Sequence, residues 1–123
     1  MKTISKLTQF NFLTVNFKQK TKIPTNKIIM MEGHNNYTLF YLENGKQKMY
    51  ARTLGHFEEQ LSNDSFIRCH RAFLINSDFI TGYNKEENKF FMQNNLEATI
   101  SRRKQGCLTN FLTKYHTNIF LNN

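Results

Sequence analysis

The sequence predicts a mainly β chain with one or two short helices, on three observations. Aromatic and β-branched residues alternate with polar ones at a period near two in several short runs, beginning with residues 10–17. Turn-forming pairs such as Asn44-Gly45 and Asn94-Asn95 separate those runs. Only the segments after Thr53 and after Ser101 carry apolar residues at the spacing of a helix face. At 123 residues, 39% of them hydrophobic, the chain is long enough to bury a core as one domain.

Residues 10–17 are expected as the first strand, preceded by a loose arm over residues 1 to about 9. Short apolar runs at 27–31 and 37–42 predict two further strands, with His34-Asn35-Asn36-Tyr37 as the polar tip between them. Asn44-Gly45 favours a type I′ hairpin turn into a strand over residues 47–51. Thr53 suits an N-cap, followed by Leu54, Phe57 and Leu61 on one helix face with Glu58, Glu59 and Gln60 toward water. Asn63-Asp64 ends that helix. Residues 66–76 return to extended sequence, 79–83 and 89–93 form a further pair, and 96–100 make a last strand. Ser101 caps a closing helix whose apolar residues are Leu108, Phe111, Leu112 and Tyr115; the Asn-rich tail beyond His116 is expected to fray.

Lysine and arginine number 17 against 9 acids, a formal charge of +8. That balance is typical of domains that meet a polyanion. Lys18, Lys20, Lys22 and Lys27 form one basic strip, and no acid follows Glu97 although Arg102, Arg103, Lys104 and Lys114 do. Cys69 and Cys107 are too few for a disulfide scaffold, and no run of ~18 apolar residues suggests a membrane span. A reduced, soluble, cytoplasmic chain is expected.

Catalysis is not expected, because no Gly-rich phosphate loop, nucleophile elbow or paired-carboxylate pattern occurs. His34, His56, His70 and His116 lack the spacing of zinc ligands, so no metal or other cofactor is expected. Cys69 and His70 are neighbours on an expected strand and should point to opposite faces, one as a small core residue and the other as a surface or capping group.

The cations make the sharper case. Arg102, Arg103 and Lys104 in the first turn after Ser101 oppose the helix dipole, an arrangement that a bound phosphate would turn into an anion site. One arginine could then reach a guanine edge. Arg68, His70 and Arg71 form a second cationic point, although Arg68 could instead pair with Glu58 or Glu59. Asn36 and Tyr37 offer an amide and a phenol suited to a base edge or a phosphate.

These residues resemble the LytTR family of bacterial DNA-binding domains, found at the output end of many two-component response regulators. The resemblance runs from about residue 23 to about 115. It rests on Met31-Glu32 before the Asn36-Tyr37 tip, Thr53-Leu54, Phe66-Ile67-Arg68-Cys69-His70-Arg71-Ala72-Phe73-Leu74-Ile75-Asn76, Phe79-Ile80, and Ile100-Ser101-Arg102-Arg103. It implies an elongated β-β-β fold of about ten short strands, in which loops enter successive major grooves of duplex DNA. By motif, Asn36 and Tyr37 would serve one groove, Arg71 the middle contact, and Ser101 and Arg103 the other groove, with His70 beside Arg71 a further candidate contact. Arg103 would read a base, Arg102 and Lys104 would hold phosphates, and Lys89 would be a further backbone contact. Cys69 stands where the family often has a β-branched residue, and Ala72 where it often has a small hydroxyl residue.

The expected organisation is an arm and first strand over residues 1–22, the DNA-binding domain over 23–116 and a tail over 117–123. The implied function is sequence-specific transcription regulation on paired direct repeats, with a second copy on the DNA. Too little precedes residue 23 for a receiver domain, which points to a stand-alone regulator or the output part of a longer one. Two alternatives are an RNA-binding β module using its aromatics, and a protein-interaction module whose basic patches meet an acidic partner.

Overall fold

The computed structural model describes residues 11–61, 65–108 and 111. Among them, β1 (Phe12–Asn16) and β2 (Thr21–Pro24) form an antiparallel pair. A central sheet is built from β3 (Ile28–His34), β4 (Tyr37–Leu42), β5 (Gln47–Tyr50), β6 (Phe66–His70) and β7 (Phe73–Asn76), in the order β5-β4-β3-β7-β6. The third sheet has the order β10-β9-β8, from β8 (Ile80–Asn84), β9 (Lys89–Met92) and β10 (Leu96–Thr99). Two short helices, α1 (Leu54–Gln60) and α2 (Arg102–Cys107), complete a mainly β architecture of ten described strands in three sheets.

The central sheet has a core on each face. On one side Leu13 and Val15 of β1, Ile23 of β2, and Leu54, Phe57 and Leu61 of the α1 segment pack against Met31, Phe40 and Leu74. Phe40 and Phe57 meet edge to face at 5.0 Å. On the other side Met30, Cys69 and Ile75 pack against Tyr83, Phe90, Met92, Ala98 and Ile100. Ile28, Ile29, Met30 and Met31 are all buried because β3 is covered from both sides, which explains the unbroken apolar run that begins it. Leu108 and Phe111, on the expected apolar face of the closing helix, pack against the second core. Leu112, Tyr115, the arm over residues 1–9 and the tail lie outside the described residues.

Thr53 caps α1 as expected, its hydroxyl accepting the His56 N–H at 3.2 Å. Asn76, the last residue of the long motif, is buried and joins two connections. Its Nδ2 donates to the Ile28 carbonyl at 3.0 Å and, more weakly, to that of Thr25, while its Oδ1 accepts from Ser65 Oγ and the Asp78 N–H.

Three expectations are corrected. The turn after β4 is not type I′, which needs positive φ at both central residues; here Gly45 has φ of 88° and Asn44 does not share the left-handed region. Leu42 and Lys46 close a three-residue loop, with Leu42 N–H donating to the Lys46 carbonyl and Gly45 N–H to the Leu42 carbonyl. No strand is expected from the sequence between residues 17 and 27, yet β2 begins at Thr21 and buries Ile23, while Lys18, Lys20, Lys22 and Lys27 of the basic strip are all exposed. Cys69 and His70 do not face opposite ways. A bulge shifts the β6–β7 register between Arg68 and His70, so Cys69 joins the second core while the His70 ring packs on Phe73 of the same side.

Candidate nucleic-acid interface

Three loop tips are tied to one another through their backbones. The first is the two-residue turn between β3 and β4, where Asn35 adopts φ of 56° and His34 pairs with Tyr37. The second is the Arg71-Ala72 turn between β6 and β7. The third is the segment from Ser101 into α2. Gly33 N–H donates to the Ala72 carbonyl at 2.8 Å, joining the first tip to the second. Ser101 N–H donates to the Cys69 carbonyl at 2.9 Å, joining the third to the second. The bulge makes that bond possible, because its extra residue turns a carbonyl away from the β7 ladder.

A groove runs along these tips. A cavity of about 480 Å³ is lined by Glu58, Arg68, His70, Arg71, Ser101, Arg103 and Lys104. A neighbouring one of about 410 Å³ is lined by Gly33, Asn35, Thr53, Leu54, Gly55 and Ala72 and shares Arg68 and Arg71 with the first. The structure thus brings His70, Arg71, Ser101, Arg103 and Lys104 together. Asn36 and Tyr37 sit exposed on the first tip, and Arg102 is exposed at the start of α2 without lining either cavity.

The electrostatics separate two kinds of cation. Lys27 pairs with Glu43, Arg68 with Glu58, and Lys89 with both Glu97 at 2.7 Å and Glu87 at 3.3 Å. Hydrogen bonds that the Lys89 ammonium donates to those two carboxylates, Glu97 first, raise its pKa. Lys89 lines neither cavity, so the structure does not gather it with the other predicted residues. Among the described residues, by contrast, no carboxylate pairs with Arg71, Arg102, Arg103 or Lys104.

Local bonds set the remaining side chains. The Ser101 hydroxyl accepts the Lys104 N–H at 3.1 Å and so caps α2. His70 Nδ1 accepts the Ala72 N–H at 3.0 Å, which ties the imidazole to the turn. Burial pushes the Cys69 thiol up to about 12, and its Sγ contacts the Thr99 carbonyl at 3.4 Å, so this sulfur packs as a thiol and not as a reactive thiolate. Arg68 is both things the sequence offers for it, a member of the cationic point with His70 and Arg71 and the partner of Glu58, and the acid lines the groove with it. Asn35, also in the groove, was overshadowed by Asn36; its left-handed φ, which asparagine tolerates well, is the signal that marks it as the turning residue. The large phenyl rings Phe40, Phe57 and Phe90 are fully buried, as core residues and not as a stacking platform.

A β chain whose unpaired cations line one groove along joined loop tips belongs to the class of polyanion-binding domains that do not present a long recognition helix. The family model of the LytTr DNA-binding domain matches residues 18–113, and the chain belongs to that family. Among solved structures it is similar to the LytTr DNA-binding domain of a protein from Bacillus cereus described as a methyl-accepting/DNA response regulator. The TM-score is 0.63 at 26% identity, over 84% of this chain and 95% of that one. No curated protein matches.

Proposed function

We propose that this DNA-binding domain reads duplex sequence with its three joined tips and acts as a transcription regulator in the cytoplasm. Asn36 and Tyr37 enter one major groove, Ser101 and Arg103 enter another, and His70 and Arg71 lie against the backbone between them. Arg103 reads a base edge, and Arg102 and Lys104 hold phosphates. Paired direct repeats would seat two copies, and a receiver or sensor partner would supply control.

The observation that carries this reading is the shared wall of the two cavities at Arg68 and Arg71, which joins the unpaired cations Arg71, Arg103 and Lys104 into one groove from Asn35 to Arg103. A phosphate backbone supplies the charge these side chains lack within the protein. The test is selection from a pool of random duplex DNA with wild type and Arg103→Ala at moderate salt. The expected result is a repeated motif for wild type and loss of preference at one position for the variant. Salt-sensitive binding with no enriched motif would refute sequence reading.

A further inference from the structure

Arg68 is the most heavily engaged cation of the groove, and its bonds point inward. Its Nε donates to the His70 carbonyl at 3.0 Å, one terminal nitrogen to the Arg71 carbonyl and the other to Glu58 Oε1. The side chain is 20% exposed. Three of its five N–H groups are held by protein acceptors, one on each guanidinium nitrogen, which fixes the fork against the protein and leaves Arg68 less to offer a phosphate or base than the unpaired arginines have.

Both carbonyls belong to the turn that carries Arg71. A two-residue turn has few ladder bonds of its own, and the bulge before it removes another. Arg68 supplies what the ladder lacks, and Glu58 anchors it to α1. That helix is a firm support: Leu54, Phe57 and Leu61 are buried, and Gln60 clasps the Thr14 backbone, accepting from its N–H at 3.2 Å and donating to its carbonyl at 3.3 Å.

We propose that Glu58 and Arg68 are positioning residues that hold the Arg71 tip, and through it the preference for one part of the DNA site, without touching DNA; this rests on the DNA-reading function above. A carboxylate inside a DNA groove opposes phosphate, so its presence needs a return of another kind. Fixing Arg71 provides it.

The sign of one substitution separates this role from plain electrostatics. Glu58→Ala and Glu58→Gln remove the same negative charge, but only glutamine keeps an oxygen for Arg68. If Glu58 merely repels DNA, both variants bind more tightly, equally on a selected duplex and on a scrambled one. If it positions Arg71, Glu58→Ala loses about tenfold on the selected duplex, within the range of a single good base contact. It then keeps or gains affinity on the scrambled duplex, while Glu58→Gln stays near wild type. In an Arg71→Ala background, Glu58→Ala should have no further effect on the selected duplex.

Tighter binding of Glu58→Ala to the selected duplex, or full additivity with Arg71→Ala, overturns the proposal. Amide exchange in the DNA-free protein provides a separate reading. The Ala72 N–H, bonded to His70 Nδ1, should exchange faster in Glu58→Ala than in wild type, and unchanged exchange also overturns the proposal. Should wild type fail to prefer the selected duplex, the DNA-reading function falls, and the exchange experiment alone decides whether Glu58 and Arg68 hold the tip.

Discussion

Salt dependence should distinguish the cations that meet phosphate from those already neutralised. Arg71, Arg102, Arg103 and Lys104 have no carboxylate partner among the described residues, whereas Lys89 lies between Glu87 and Glu97. With Arg103 at a base edge, Arg71, Arg102 and Lys104 are the three that displace counterions, so log K should fall with log salt at a slope of about −2.7, at about 0.9 per phosphate contact. Raising salt from about 50 to about 200 mM then weakens binding about 40-fold. Lys104→Ala should flatten the slope by about 0.9, and Lys89→Ala should leave it unchanged, because no counterion leaves DNA for an ammonium that two carboxylates hold. The assay is fluorescence anisotropy with a labelled duplex at four or five salt concentrations. If Lys89→Ala flattened the slope as much as Lys104→Ala, the division into free and neutralised cations would be wrong, and Lys89 would return as a backbone contact.

Two further outcomes concern stability. Asn76→Ala leaves the buried Ile28 carbonyl without its side-chain donor and opens a gap, for an expected loss of about 2–4 kcal/mol. Urea midpoints with unchanged m-values would measure it, and a change below about 0.5 kcal/mol would contradict the bonding described. Burial raises the Cys69 thiol from 9.0 to about 12. The unfolded chain therefore ionises first, and the stabilisation present below pH 9 is lost as pH climbs toward 12, at no more than about 1.4 kcal/mol per pH unit. Cys69→Ala should lack the part of the decline that begins near pH 9, leaving that of Tyr41 and Tyr50, whose phenols burial also raises from 10.0. Parallel urea titrations of both proteins at pH 8 and pH 10 would show it.

The strands were legible because their signal is local. In β4 the run from Tyr37 to Leu42 is apolar or aromatic except at Thr38, which marks a strand locally, although the side that faces the core, Thr38, Phe40 and Leu42, is set by its partners. What the sequence hid depends on non-local pairing or backbone conformation. β2 was missed because only Ile23 of its four residues is fully buried, leaving too short a pattern to recognise. Turn geometry was hidden because asparagine replaces glycine: Asn35, Asn88, Asn94 and Asn95 all take positive φ, so the few glycines do not mark the turns. The cationic residues of the site were readable as a set. Which of them an acid had claimed was not, because Glu97 reaches Lys89 across a strand pair and Glu58 reaches Arg68 from a separate helix.

The bulge at Cys69 links fold and site more tightly than either core does. In a regular strand Cys69 and His70 would alternate, placing one of them on the α1 side, and the Cys69 carbonyl would remain in or beside the β7 ladder. The inserted residue instead sends the thiol into the second core, sets His70 against Phe73, and frees a carbonyl for the Ser101 N–H. It also puts Arg68 where its guanidinium reaches the two carbonyls of the following turn. A small apolar side chain suits this position, because the second core closes fully over it. A substitution that only changes packing, such as Cys69→Val, therefore tests the backbone role separately from the thiol. If the bulge is the structural requirement, Cys69→Val should keep DNA affinity within a few-fold even where stability shifts by about 1 kcal/mol. Loss of affinity out of proportion to stability would mean that the sulfur itself, through its contact with Thr99, helps set the third tip.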